Sequence, residues 1–237
     1  MEREYKVVLF DLDGTLLPMD MEAFIRAYFA GISARLARHG HDPKRLIQGI
    51  WMGTVAMQNN DGAKKNETVF WEHAVACCGQ KIKDDEECFN AFYVEDFDKV
   101  QASCGYHEEA AAIVRDLKAA GKRVALATNP IFPAIATQKR IRWAGLSHEE
   151  FELVTTYENS RYCKPNLQYY RDILKELGVD ATDCVMVGND VNEDMVAANL
   201  GMQVFLLTDC LLNKDEKDIS VYPHGDFAAL RKFLFEK

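Results

Sequence analysis

The chain has 237 residues, 48% of them hydrophobic and 11% aromatic, which is enough to bury a core in one large domain or a domain with an insertion. Its net charge of −9 argues against nucleic acid and anionic membranes as partners. We expect no signal peptide, and no apolar run is long enough to span a bilayer. The seven cysteines lack metal or redox spacing, which indicates a reduced, cytoplasmic protein.

Continuous apolar runs predict the strands of a buried sheet. They are VVLF (7–10), RVALAT (123–128), CVMVG (184–188) and QVFLL (203–207), with FELVTT (151–156) as a weaker fifth. Continuous rather than alternating runs are typical of parallel strands that are covered on both faces. Helical patterns separate the runs after residue 104, at 107–121, 133–143, 167–178 and 192–201. The order predicts an α/β fold with a Rossmann-like parallel sheet core flanked by helices.

Residues 18–101 show no good strand pattern. Apolar side chains recur there at helical spacing, and polar breaks such as HGHDP (39–43) and NNDGAKKN (59–66) separate the helical stretches. Asp20 is predicted to cap the first of these helices. The pattern predicts about four helices inserted after the first strand.

Two aspartates follow the first predicted strand directly, in the sequence DLDGT (11–15). Asp11 and Asp13 are two positions apart, which places both side chains on one face of an extended segment. Gly14 allows a sharp turn after them. Ligands of open α/β sheets bind at the carboxyl ends of the strands. The pattern alone fits a ligand site or an ordinary solvated turn.

The other predicted strands also end in polar residues. Thr128 and Asn129 follow RVALA, Asp190 follows CVMVG with Asp194 four positions later, and Lys164 lies in the turn after the weaker strand. In a parallel sheet these residues converge on the edge that carries the aspartate pair. Four carboxylates at close range oppose joint ionisation, and a lysine together with a divalent cation would offset this. Oxygen ligands alone point to Mg²⁺.

Such a site suits phosphoryl transfer. The cation and Lys164 would neutralise the charge of a phosphate, and Thr128 would donate a hydrogen bond to it. A carboxylate flanked in this way can act as a nucleophile and form an aspartyl phosphate.

In these residues the chain resembles the haloacid dehalogenase-like superfamily. Four motifs match in order: DLDGT (11–15), the strand-end Thr128, Lys164 within KP, and NDVNED (189–194). With the connecting pattern, the resemblance covers residues 1–17 and 102–237, which it implies are the catalytic core. It further implies that residues 18–101 form an inserted, all-α cap domain.

The resemblance implies catalytic and metal-binding roles. Asp11 would be the nucleophile and a Mg²⁺ ligand. Asp13 would be the general acid/base, and its backbone carbonyl would bind the metal. Asp190 would be a further Mg²⁺ ligand. Asp194 would orient its surroundings or a bound water, although an acid there also fits a helix cap.

The resemblance also implies that Thr128 and Lys164 hold the phosphate. Asn129 either contacts phosphate or substrate or only caps its turn. One departure concerns the residue before the metal-binding aspartate, where the family usually has glycine. Here Asn189 occupies that place and Gly188 comes one residue earlier.

Several residues keep two interpretations. Cys163 is either a packing residue or a reactive thiol near a cation. The lysines at 64–65 either meet an anionic substrate or lie in a solvated loop. Trp51, Phe70 and Trp71 are expected mainly to form the core of the helical insertion, with one or two such aromatics facing the substrate.

The sequence therefore predicts a Mg²⁺-dependent phosphatase that hydrolyses a small phosphomonoester, such as a sugar phosphate, phosphoglycolate or a nucleotide, through an aspartyl phosphate. Asp13 disfavours a dehalogenase, because the dehalogenases of this superfamily lack an aspartate at that place. Two alternatives remain: a β-phosphoglucomutase-like phosphotransferase, and a non-catalytic binding or regulatory protein. We expect a monomer or homodimer that binds neither nucleic acid nor membranes.

Overall fold

The structure is a computed structural model and describes residues 5–236. Residues 1–4 and 237, which the predicted core includes, lie outside the described residues. Five parallel strands form one sheet in the order β2-β1-β3-β4-β5, which confirms the predicted α/β fold. The strands are β1 (Val7–Phe10), β2 (Arg123–Leu126), β3 (Cys184–Gly188), β4 (Gln203–Leu207) and β5 (His224–Gly225).

The prediction of a strand at 151–156 is wrong. Only an isolated bridge forms there, where Val154 pairs in parallel with Leu126 of β2. The Leu126 N–H donates to the Leu153 carbonyl at 2.8 Å, so this segment covers the edge of β2 without becoming a regular strand. The fifth strand is instead β5, whose two residues are too few to give a periodic pattern.

Helices occupy the segment between β1 and the rest of the sheet. They are α1 (Met21–Ala37), α2 (Pro43–Gln58), α3 (Asn66–Cys78), α4 (Lys81–Asp84) and α5 (Glu86–Ala91), followed by a π-helical turn at Phe92–Asp96 and a 3-10 helix at Phe97–Ser103. The predicted cap of α1 is confirmed, because the Asp20 carboxylate accepts a hydrogen bond from the Ala23 N–H at 3.0 Å. About four helices were predicted; three long ones form (α1 to α3), and residues 81–103 form a series of short helical turns.

The two connections between the helical segment and the sheet run side by side. Met19 and Cys104 form an antiparallel bridge, and the Gly105 N–H donates to the Pro18 carbonyl at 2.6 Å. The chain therefore enters and leaves the helical segment at one place. The division into a core (1–17 and 102–237) and a cap (18–101) stays a prediction that this arrangement supports.

Four helices flank the sheet: α6 (Glu108–Ala119), α7 (Ala134–Trp143), α8 (Leu167–Leu177) and α9 (Phe227–Phe235). The helix expected at 192–201 is only a 3-10 helix at Met195–Leu200. Side chains alternate along β1, so Val8 and Phe10 enter one apolar core while Val7 and Leu9 enter the other. Within residues 5–236, no helix is both long and apolar enough to cross a membrane.

Candidate active site

Asp11 lies at the carboxyl end of the sheet's central region. Its N–H donates to the Val187 carbonyl of β3 at 2.9 Å, so the backbone pairing of β1 continues through this residue. The residue is only 7% exposed. The strand thus fixes one carboxylate at the sheet edge with little freedom of movement.

Lys164 joins Asp11 to Asp194. Its ammonium donates to Asp11 Oδ1 at 2.9 Å and to Asp194 Oδ1 at 2.7 Å, and all three side chains are buried. Burial lowers the pKa of Lys164, but attraction to Asp11 and Asp194 outweighs it and raises that pKa well above its usual value. Burial raises the pKa of Asp194, and Lys164 opposes this rise. One fixed positive charge therefore serves two carboxylates.

Asp13 forms an ion pair with Arg140 of α7, a residue that the sequence analysis missed. The Arg140 side chain is 1% exposed, and its guanidinium lies 4.5 Å from the centre of the Phe132 ring. The other carboxylate oxygen of Asp13, Oδ1, is buried and has no hydrogen-bond partner. Burial raises the pKa of Asp13, although Arg140 pulls it down. The pair holds the Asp13 carboxylate at one oxygen and leaves the other available.

The turn after β3 holds two more of the predicted residues. Asp190 Oδ1 accepts hydrogen bonds from the N–H groups of Asn192 (2.7 Å) and Glu193 (3.0 Å). Asp194 Oδ2 accepts from the Asp190 N–H at 3.0 Å. Asp194 makes no side-chain cap to the 3-10 helix that follows it. Its observed contacts therefore favour the orienting interpretation over the helix cap.

Packing explains why glycine stands at position 188 and asparagine at position 189. A Cβ on Gly188 would lie 2.1 Å from Asp194 Oδ2, so the glycine lets that carboxylate approach the backbone. Asn189 donates to the Cys210 carbonyl at 2.7 Å and accepts from the Thr15 hydroxyl at 3.0 Å. Asn189 therefore ties the loop after β1 to the loop after β4.

Gly14 meets two requirements in the loop after β1. Its φ of +85° lies in the left-handed region, which favours glycine. A Cβ there would also lie 2.3 Å from Asn189 Nδ2. Asn189 and the DLDGT loop therefore fit closely against each other.

Thr128 and Asn129 lie beside these groups, at the end of β2. The Thr128 carbonyl accepts from the hydroxyls of Thr155 (2.7 Å) and Tyr169 (2.8 Å), which fixes this backbone. Asn129 Nδ2 donates to Glu193 Oε2 at 3.0 Å. Burial raises the pKa of Glu193 to about 7. This residue was not singled out from the sequence. Asn129 is thus oriented by a side chain as well as by its turn.

One cavity, about 250 Å³ in volume, brings most of the predicted residues together. The members that line it are Asp11, Asp13, Thr128, Asn129, Asp190 and Asp194, joined by Asn189 and Glu193. Lys164 reaches the site through its bonds to Asp11 and Asp194. The helical segment forms the opposite wall, to which Trp51 and Phe70 contribute while Trp71 packs beside Phe70. The predicted convergence at the sheet edge is therefore observed; the chemical roles remain predictions.

The structure favours one of the two interpretations for Cys163 and for Lys64. Cys163 is 1% exposed, burial raises its pKa to about 12, and Asn66 Nδ2 lies 3.4 Å from its sulfur. These contacts favour packing over reactivity. Lys64 pairs with Glu72 at 2.6 Å on the surface, which favours the solvated-loop interpretation.

Known proteins are similar to this chain in sequence and in fold. Residues 5–201 match the family model described as haloacid dehalogenase-like hydrolase. The chain is 31% identical over 127 residues to the glyceraldehyde 3-phosphate phosphatase of Methanothermobacter thermautotrophicus, an alignment that covers 50% of this chain and 54% of that protein. The chain thus spans about half the length of this curated relative.

Solved structures share the fold at lower identity. The HAD phosphatase from Thermococcus onnurineus superposes with a TM-score of 0.61 at 17% identity, over 98% of this chain and 99% of that one. The 2-haloacid dehalogenase from Pseudomonas syringae pv. Tomato gives a TM-score of 0.62 at 20% identity, over 97% and 98%. With a family model that matches most of its length, the chain belongs to the haloacid dehalogenase-like hydrolase family.

Proposed function

We propose that this protein is a Mg²⁺-dependent phosphatase that hydrolyses small phosphomonoesters through an aspartyl phosphate on Asp11. The observation that carries the proposal is the position of Asp11 at the cavity floor, with Lys164 bonded at 2.9 Å to one of its carboxylate oxygens. The phosphatase activity of the partial relative from Methanothermobacter supports the same reaction class. Sugar phosphates, phosphoglycolate and nucleotides are the substrate classes from which we start.

The reaction has two displacements at phosphorus. An oxygen of Asp11 attacks phosphorus, the ester P–O bond breaks, and Asp13 gives its proton to the departing alkoxide. Asp13 then removes a proton from water, which attacks phosphorus and breaks the bond to Asp11. Asp11 begins and ends as a carboxylate, and Asp13 begins and ends protonated, with its free oxygen Oδ1 able to carry the proton. The position of Asp13 beside Asp11, with one oxygen free of hydrogen bonds, suits this exchange of protons.

Binding of the phosphate is assigned to groups next to Asp11. Lys164 contributes a fixed positive charge. Thr128 lies on the cavity wall, and a hydrogen bond to its carbonyl fixes its backbone. Asn129 can reach a phosphate oxygen with the amide that now bonds to Glu193. Asp194 acts through Lys164 by orienting its ammonium.

The oxygen donors fit Mg²⁺. Five carboxylates line the cavity, whereas Lys164 and Arg140 bond to three of them, so negative charge remains in excess. Within residues 5–236, no three His, Cys, Asp or Glu side chains are grouped as a ready metal site. Asp11, Asp190 and the Asp13 carbonyl would hold the ion, and Mg²⁺ commonly takes one or two carboxylates and fills its other positions with water and phosphate. When bound, Mg²⁺ supplies charge neutralisation for the phosphoryl group.

The helical segment is proposed to act as the cap. It forms the cavity wall opposite the strand ends, and its two connections to the core lie together at Met19 and Cys104. Movement about these connections would close the site against water and open it for release. We also retain the expectation of a cytoplasmic monomer or homodimer.

The test is phosphate release from p-nitrophenyl phosphate with Mg²⁺ and with EDTA, for the wild type and for Asp11→Asn. We expect turnover that needs the metal and disappears in the variant. A panel of phosphorylated metabolites follows, with phosphosugar isomerisation measured in parallel because it would reveal a phosphotransferase. No turnover on any ester and no isomerisation would replace the enzyme proposal with the binding-protein alternative.

A further inference from the structure

The cavity wall contributed by the helical segment is apolar and largely aromatic. Its side chains include Phe24, Ile25, Tyr28, Phe70, Phe89 and Tyr93. Among the described residues of this segment, none that lines the cavity carries a charge. The carboxylates and the lysines lie on the sheet side, so charge and apolar surface are separated within one cavity.

Three of the polar side chains on this wall, Tyr28, Thr54 and Tyr93, have hydrogen-bond partners within the protein, and Trp51 and Gln58 are the others. The Thr54 hydroxyl donates to the Ile50 carbonyl at 2.9 Å. The hydroxyls of Tyr28 and Tyr93 lie 2.9 Å apart and share one hydrogen bond, which leaves one hydroxyl hydrogen of the pair to donate elsewhere. Gln58 is exposed. The wall therefore offers few hydrogen bonds to a molecule in the cavity.

The cations near the cavity belong to the sheet side and not to the helical wall. Lys164 and Arg140 are bonded to carboxylates of the sheet side. Lys214 lines the cavity from the loop after β4, close to the turn that holds Asp190. A leaving group that carries a carboxylate or several hydroxyls would lose its water against an aromatic wall without receiving equivalent partners.

We propose that the natural substrate is a phosphomonoester whose leaving alcohol is uncharged and carries an aromatic ring. This rests on the proposed phosphatase function and narrows its substrate class away from phosphoglycolate and sugar phosphates. The cavity volume of about 250 Å³ exceeds the roughly 150 Å³ of an engineered apolar cavity that binds benzene, so one ring fits beside the phosphate. Rings on the wall favour an aromatic partner through edge and stacking contacts.

The main experiment compares esters of primary alcohols, so that leaving-group chemistry is similar. We would measure kcat/KM with Mg²⁺ for benzyl phosphate, phosphoglycolate and glyceraldehyde 3-phosphate. The proposal predicts a value for benzyl phosphate at least tenfold above those of both polar esters. Equal values, or a preference for either polar ester, would overturn it.

A pair of variants tests the wall itself. Ile25 lines the cavity and is 37% exposed, so Ile25→Lys places a cation on the wall without burying it fully. The matched control is Val55→Lys, because Val55 is a similar branched residue on α2, is 40% exposed and lies outside the cavity lining. We expect Ile25→Lys to lower kcat/KM for benzyl phosphate at least fivefold and to raise it for phosphoglycolate. The control should stay within twofold of the wild type, and equal effects of the two variants would contradict the proposal.

A binding measurement separates the two proposals. Calorimetry with benzylphosphonate and methylphosphonate requires no turnover and should show at least tenfold tighter binding of the benzyl compound. If this preference holds while no ester is hydrolysed, the cavity selects an aromatic ligand, but the phosphatase function falls together with the substrate assignment that rests on it. If esters are hydrolysed without preference for the ring, the function stands and the inference falls. If no ester is hydrolysed and the benzyl compound binds no more tightly than the methyl compound, both the phosphatase function and the aromatic-substrate inference fall.

Discussion

Arg140 and Asp13 form a buried ion pair although 127 positions separate them in the chain. Arg140 comes from α7, behind the cavity, and its guanidinium is held between the Asp13 carboxylate and the Phe132 ring. The pair attaches the loop after β1 to a helix of the core. The proposed acid/base therefore has a fixed orientation before any substrate enters.

Removal of Arg140 should destabilise the protein. In Arg140→Met the Asp13 carboxylate stays in a mostly buried place without its cation, and we expect a loss of about 3 kcal/mol in the free energy of unfolding. Urea unfolding in the presence of EDTA measures this. The double variant Arg140→Met with Asp13→Asn should recover part of the loss, since no uncompensated charge remains. Strictly additive losses would show that the two side chains are not coupled.

Asp13→Asn should distinguish leaving groups. An alkyl alcohol needs a proton as it departs, whereas p-nitrophenolate leaves without one. We expect kcat/KM, which reports the steps up to departure of the alcohol, to fall about 100-fold or more for benzyl phosphate, with a much smaller loss of kcat/KM for p-nitrophenyl phosphate in that same variant. Steady-state rates on both esters give the comparison. A common loss on the two substrates would assign Asp13 a structural role in place of proton transfer.

The strand ends could be predicted from sequence because the signal for each lies in a few adjacent residues. Apolar runs predicted four of the strands correctly, and polar residues after three of these runs indicated the edge where ligands bind. Arg140 could not be found in this way. It lies on a helix whose sequence gives no sign of a distant partner, and only the tertiary fold brings it to Asp13.

The errors in the fold also have physical causes. The run at 151–156 has the composition of a strand but lies at the edge of β2, where one bridge forms and no regular ladder. The segment after β3 carries a helical pattern, yet its bonds around Asp190 shape a turn first and leave room only for a 3-10 helix. Tertiary contacts overrule local preference in both places.

Cys163 should be inert in the folded protein. Burial raises the pKa of Cys163 to about 12, so very little thiolate is present at pH 8, and the residue is 1% exposed. Iodoacetamide labelling at pH 8, followed by peptide mass mapping, should leave Cys163 unmodified while the half-buried Cys77 and Cys210 react. The same reagent in denaturant should label it fully. Rapid labelling in the native state would restore the reactive-thiol interpretation.

The central claim is that Asp11 forms a covalent bond to phosphorus. The most direct measurement is the stereochemistry of hydrolysis of an isotopically chiral thiophosphate monoester. Each in-line displacement inverts phosphorus, so attack by Asp11 followed by attack of water predicts overall retention of configuration. Overall inversion would mean that water attacks the ester in one step, which would contradict a nucleophilic role for Asp11.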